Sequence, residues 1–300
     1  MNKDRREKKE WFAGFRTVEF TDEQLDITIP MFIMYPTSTP EKLGSIGPYQ
    51  LNISRNAQLE EGVFPLVLLS HGTGGSPLVY RTIATYLARN GMVVGMIEHP
   101  FNNRNDNTLE GTVDNLSIRP KHISMGIDWF FNSKEFSKML KPNSVSVIGH
   151  SMGGYTALAA AGGKPTSFPY ESSDGKVHQI NVTPDDRINS IVLLAPASVW
   201  FKEKGALKDI NIPILMYVAE KDLFTPYFHA EIVLNGLPDR TKIQHKMIEN
   251  AGHFSFLSPF PKEMTSDSFL PAQDPHGFNR EDFHHHLNEE ITEFLLKNNL

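Results

Sequence analysis

A chain of 300 residues with 40% hydrophobic side chains is long enough to bury a sizeable core, as one large α/β domain or as two smaller ones. A formal net charge of -6 gives no basic stripe for nucleic acid, and the absence of cysteine excludes disulfides, thiolate metal sites and a cysteine nucleophile. Small-molecule chemistry is what remains. Met1 to Glu10 are polar or charged after the first residue, and no apolar run follows that is long enough for a signal peptide or a transmembrane helix. A flexible start over 1–14, a cytoplasmic location and no membrane span are therefore expected.

Phe15 to Phe20 and Ile27 to Tyr35 read as two strands joined by the polar turn Thr21-Asp22-Glu23-Gln24, an antiparallel hairpin that ends at Pro36. The segment Thr37 to Gly62 is rich in Pro, Gly, Ser and Asn and reads as a long surface loop bordering a pocket. From Phe64 onward short apolar strands alternate with helical segments, which predicts parallel strands with right-handed crossovers. The strands are expected at Phe64 to Leu69, Met92 to Ile97, Val145 to Ile148, Ser190 to Leu194, Pro213 to Val218 and Lys242 to Ile248. Helices are expected at Tyr80 to Arg89, Ile123 to Phe131, Tyr155 to Ala161 and near Arg280 to Lys297. Gly162 to Arg187 interrupts the alternation and reads as either a plain surface insertion or a small cap over a site.

Gly149-His150-Ser151-Met152-Gly153 follows one of these strands and fits a nucleophile elbow, in which a serine sits on a sharp strand-to-helix turn. A serine hydroxyl needs an imidazole to take its proton and an anion to orient that imidazole. In this strand layout the acid and then the histidine should follow the serine, each at the carboxyl end of a strand. Asp222 lies just beyond the strand Pro213 to Val218, with Glu220 as the local competitor, and His253 follows Gly252 after the strand Lys242 to Ile248. The remaining requirement is a pair of backbone N–H groups aimed at the oxyanion. Met152 after the nucleophile is one candidate, and Thr73 in the loop Ser70-His71-Gly72-Thr73-Gly74-Gly75 is the other.

Ser-His-Gly-Thr-Gly-Gly at 70–75, Gly-His-Ser-Met-Gly-Gly at 149–154, Asp222 and Gly252-His253 resemble the α/β-hydrolase superfamily. The likeness extends to the dienelactone hydrolases and the platelet-activating-factor acetylhydrolase-like serine esterases, supported by Ile29 to Pro36 and by Pro275 to Arg280 before Phe283-His284. It implies a mostly parallel twisted sheet with helices on both faces, an N-terminal antiparallel hairpin and one α/β-hydrolase domain over 15–300. Dienelactone hydrolases use a cysteine nucleophile, so the resemblance implies ester hydrolysis through serine instead. The expectation is a carboxylesterase-like serine hydrolase acting on a small-molecule ester, with Ser151, His253 and Asp222 as its triad and no cofactor or metal. The same triad also serves acyl transfer and amide, thioester or lactone cleavage, and a non-catalytic binding protein on this fold is the reading from another class.

Blander roles compete for several residues. Asp222 also suits a loop-capping carboxylate, and His253 a histidine bonded to the backbone. His71 and His150 are expected to support the loop and the elbow. Phe224, Phe254, Phe256 and Phe260 either line an acyl or alcohol pocket or form a miniature core. Three consecutive histidines on a helix, His284 to His286, diverge by about 100° each, so a solvated face is expected there and not a metal site.

Overall fold

The computed structural model describes residues 11–299; Met1 to Glu10, the body of the segment read as flexible, lie outside them. The first strand, β1 (Phe12–Asp22), already includes Phe12 to Gly14, so the flexible start does not reach residue 14. β1 pairs antiparallel with β2 (Ile27–Thr37), which runs through Pro36 to Thr37. The segment read as a loop holds a second antiparallel hairpin, β3 (Lys42–Ile46) and β4 (Tyr49–Arg55), turned at Gly47 with φ 55°. It escaped the sequence reading because it lies at the sheet edge, where only Ile46, Tyr49, Ile53 and Ser54 of its residues are buried.

The alternating region then supplies β5 (Phe64–Ser70), β6 (Val93–Ile97), β7 (Leu140–His150), β8 (Ile188–Leu194), β9 (Ile214–Ala219) and β10 (Ile243–Ile248). These run parallel, and among the described residues the mixed sheet has the order β10-β9-β8-β7-β5-β6-β2-β1-β4-β3. Central strands are buried on both faces, so β5 sends Leu66 and Leu68 into one core and Val67 and Leu69 into the other. Helices α1 (Arg81–Arg89) and α5 (Arg280–Asn298) cover the second core; α2 (Val113–Asn132), α3 (Met152–Ala160) and α4 (Phe228–Gly236) cover the first. The short α4 was not read from the sequence.

α2 begins ten residues before the expected Ile123, capped by Thr112, whose side chain accepts from Asn115 N. Its interior Pro120 has no N–H for the Leu116 carbonyl four residues back. The Tyr155 hydroxyl on α3 donates to that carbonyl at 2.8 Å instead. A helix that the sequence would break is therefore completed by its neighbour, which also fixes α2 against α3.

On α5, His284 contradicts the expected solvated face: it is buried, bonded to Thr82 Oγ1 on α1 and to the Ser255 carbonyl, while His285 and His286 are exposed. Among the described residues no helix is long and apolar enough to cross a membrane.

Candidate active site

The carboxyl ends of β5, β7, β9 and β10 meet at a cleft of about 310 Å³ lined by Thr73, Ser151 and His253. Ser151 follows β7 with φ 54° and ψ −119°, a conformation unfavourable to any residue with a Cβ. Its backbone is held from β8 and the loop that follows it: Ser151 N donates to Leu194 O at 3.0 Å, and Ala197 N donates to Ser151 O at 2.9 Å. Such a tight turn leaves no room beside it. A Cβ on Gly149 would lie 2.0 Å from Gly153 O, and one on Gly153 would lie 1.9 Å from Ser70 O. Both obstacles are backbone atoms and cannot swing away. Gly153→Ala is expected to cost on the order of 3 kcal/mol or more, read as a shift in the urea unfolding midpoint at unchanged m.

His253 directs Nδ1 to Asp222 Oδ2 at 2.8 Å, and both side chains are almost fully buried. Asp222 also fills the bland role, because its Oδ1 accepts from Phe224 N and Thr225 N, each at 2.8 Å. Thr225, which the sequence reading passed over, joins the pair: its Oγ1 lies 2.8 Å from Asp222 Oδ2, 3.2 Å from His253 Nδ1 and 3.1 Å from Ala195 O. Asp-x-x-Thr is a legible capping pattern, whereas the bond to Ala195 depends on the fold. The competitor Glu220 is exposed and accepts from Asn250 N, away from the imidazole.

Burial alone would raise the Asp222 carboxyl, but the His253 hydrogen bond and charge and the Thr225 donors outweigh it and hold it at about 2. A carboxyl depressed in the folded state adds stability above its unfolded value near 3.8, and that stability disappears as pH falls from there through about 2. The shift corresponds to about 2 kcal/mol. Urea titrations between pH 5 and 2 are expected to show this loss in the wild type and its absence in Asp222→Asn.

His150 links the loops around the cleft. Tyr80 O–H donates to His150 Nδ1 at 2.8 Å, and His150 Nε2–H donates to the His253 carbonyl at 3.0 Å. Burial, then the neighbouring His253, pushes His150 down to about 3, so it stays neutral and keeps this tautomer. Gly72 N donates weakly to the same Tyr80 oxygen at 3.4 Å, which ties in the loop carrying Thr73. The Gly72 carbonyl takes two donors, His71 Nδ1 at 2.7 Å and Gly75 N at 3.1 Å. Because a trans peptide sets its N–H opposite its C=O, the Thr73 N–H is fixed with it. Among the described residues neither Thr73 N–H nor Met152 N–H donates a hydrogen bond, and none joins Ser151 Oγ to His253. Such contacts commonly tighten only around a substrate.

The cleft walls are aromatic. Phe224, Phe254 and Phe260 line it, the first of the two roles left open for them, joined by Tyr49 from β4, Leu257 and Phe269. Phe224 is 57% exposed, with its ring centroid 5.1 Å from that of His253. Phe256 takes the other of the two roles left open for these residues, fully buried beneath His150 and against Tyr217 and Phe283. Arg104 and Glu110 bring charge from the loop after β6, and no residue of 162–187 lines the cleft. A larger depression of about 650 Å³ between α2 and residues 181–187 contains none of the candidate residues.

A mixed sheet with a long parallel run, helices on both faces and an elbow serine after β7 defines an α/β-hydrolase fold. Solved structures share it: a ferulic acid esterase from Streptomyces cinnamoneus superposes with a TM-score of 0.67 at 14% identity, covering 96% of this chain and 90% of that one. A dienelactone hydrolase from Anabaena variabilis gives 0.60 at 14% identity, over 96% and 99%. Residues 40–108 match the family model for platelet-activating factor acetylhydrolase, isoform II. Two curated proteins are also similar. Bis(hydroxyethyl) terephthalate hydrolase from Streptomyces coelicolor is 24% identical over 196 residues, 65% of this chain and 52% of its own length. Cutinase est1 from Thermobifida alba is 23% identical over 199 residues, 65% and 55%. The chain thus spans about half the length of the curated relatives it matches.

Proposed function

We propose that the protein is a serine hydrolase that cleaves a small-molecule ester through an acyl-enzyme. The observation that carries this reading is the buried His253–Asp222 pair, 2.8 Å apart, whose histidine lines the same cleft as a serine held in a strained elbow. His253 Nε2 takes the proton as Ser151 Oγ attacks the ester carbonyl carbon, and Asp222 holds the imidazolium that forms. Thr73 N–H and Met152 N–H receive the oxyanion. Collapse breaks the bond to the alcohol oxygen, which leaves with the proton from His253. Water then attacks the acyl carbon, gives its proton to His253, and the second collapse returns that proton to Ser151 and releases the acid.

The likeness to a bis(hydroxyethyl) terephthalate hydrolase and a cutinase supports ester hydrolysis, and the aromatic walls favour an ester with an apolar or aromatic acyl or alcohol part. The test is exposure to a fluorophosphonate alongside turnover of short p-nitrophenyl esters. The expected result is stoichiometric loss of activity with the adduct mapped to Ser151. Full turnover after labelling elsewhere, or no turnover of any ester in a panel, overturns the reading.

A further inference from the structure

Arg119 on α2 is completely buried, and none of its hydrogen-bond partners is a carboxylate. Its Nε donates to Thr156 Oγ1 at 3.0 Å, Nη1 to Asn102 Oδ1 at 2.6 Å, and Nη2 to Ser70 Oγ at 3.1 Å and to the His71 carbonyl. These acceptors lie on the helix behind Ser151, on the loop after β6, at the end of β5 and on the loop leading to Thr73. One guanidinium fork therefore ties the elbow helix to the candidate oxyanion loop.

Among the described residues no carboxylate pairs with it. Ser70 Oγ accepts from Arg119 and donates to His99 Nε2 at 2.8 Å; His99 Nδ1 pairs with His122 Nδ1 at 3.2 Å; His122 Nε2 is buried with no partner. Burial, then the charge of Arg119, pushes His71 and His122 down to about 3 and His99 well below its ordinary value. Burial lowers Arg119 itself to about 9, so it remains a cation at neutral pH. Asp22, the carboxylate whose field reaches His122, is itself paired with Lys121 at 2.6 Å. Four neutral acceptors do not require a charge, and an uncompensated buried cation is costly. Directly behind the oxyanion loop, however, it gains a partner whenever the ester carbonyl becomes an anionic tetrahedron.

We propose that Arg119 is a positioning residue for ester hydrolysis, fixing the loop that carries Thr73 and favouring the anionic intermediate over the neutral ester. This rests on the Ser151 reading. The test measures steady-state kinetics with p-nitrophenyl butyrate and inhibition by phenylboronic acid, which forms an anionic tetrahedral adduct on serine. Binding of benzyl alcohol, a neutral ligand, is measured beside them. Arg119→Gln is expected to lower kcat and boronate affinity together by about 10²-fold, with KM and benzyl alcohol binding within about twofold of wild type. Arg119→Lys keeps the charge but cannot span the four acceptors, and should lose about 10-fold in the same two quantities. It serves alone if the glutamine variant does not fold. Wild-type kcat or boronate affinity in a folded variant overturns the proposal, as does an equal loss for the neutral ligand. A wild-type protein that fluorophosphonate does not label at Ser151 overturns the catalytic reading instead.

Discussion

Ser151→Ala is expected to reduce ester turnover by about 10⁶-fold while leaving the fold intact, read from p-nitrophenyl ester assays beside urea unfolding. Loss on this scale follows because nucleophile and base act as a unit; the oxyanion donors alone retain only a fraction of the rate enhancement. The fold should survive because Ser151 uses only its backbone for support, through Leu194 O, Ala197 N and Gly154 N. Retained turnover would sink the assignment of the nucleophile. A companion variant separates chemistry from architecture. Ser151→Gly should be as inactive as the alanine variant yet more stable than it by about 1 kcal/mol, because φ 54° with ψ −119° strains any residue with a Cβ and glycine least. Equal stability of the two would mean that the elbow is unstrained.

The sequence made the parallel strands legible because β5 to β9 are for the most part buried on both faces, which requires uninterrupted apolar runs. It made the order of Ser151, Asp222 and His253 legible for a related reason: each follows a strand whose end the sheet direction fixes. What stayed hidden depends on partners distant in sequence. The hairpin β3–β4 did carry the alternation Tyr49, Leu51, Ile53, but surrounding Gly, Pro and Ser outweighed it. The start of α2 was obscured by Pro120, and only Tyr155 on another helix resolves that conflict. Arg119 gave no signal, since an arginine in a polar half-helix normally faces solvent; its burial requires Ser70, Asn102 and Thr156 to be brought together. For Phe256 the pattern left pocket wall and miniature core both open, and the short 3₁₀ turn His253–Phe256 decides for the core by rotating it inward.

Asp222→Asn is expected to lower kcat by about 10⁴-fold at neutral pH with little change in KM. The mechanism is set by how this carboxylate is already bonded. Oδ1 accepts two backbone N–H groups, from Phe224 and Thr225, so an asparagine places its carbonyl oxygen there and turns its NH₂ toward His253. His253 Nδ1 must then accept rather than donate, which puts the imidazole proton on Nε2, where it blocks transfer from Ser151. The fold should hold, because the two backbone bonds survive and the acid-sensitive stabilisation is already small relative to a whole domain. Thr225→Val tests the same logic from the other side. It removes the Oγ1 contacts to Asp222, His253 and Ala195 without changing the tautomer, so a loss of only about 10-fold is expected. If the valine variant were as impaired as the asparagine one, orientation by Thr225 rather than the tautomer set by Asp222 would control the base. If Asp222→Asn kept most of its kcat, His253 would not depend on this carboxylate and the acid would have to be sought elsewhere.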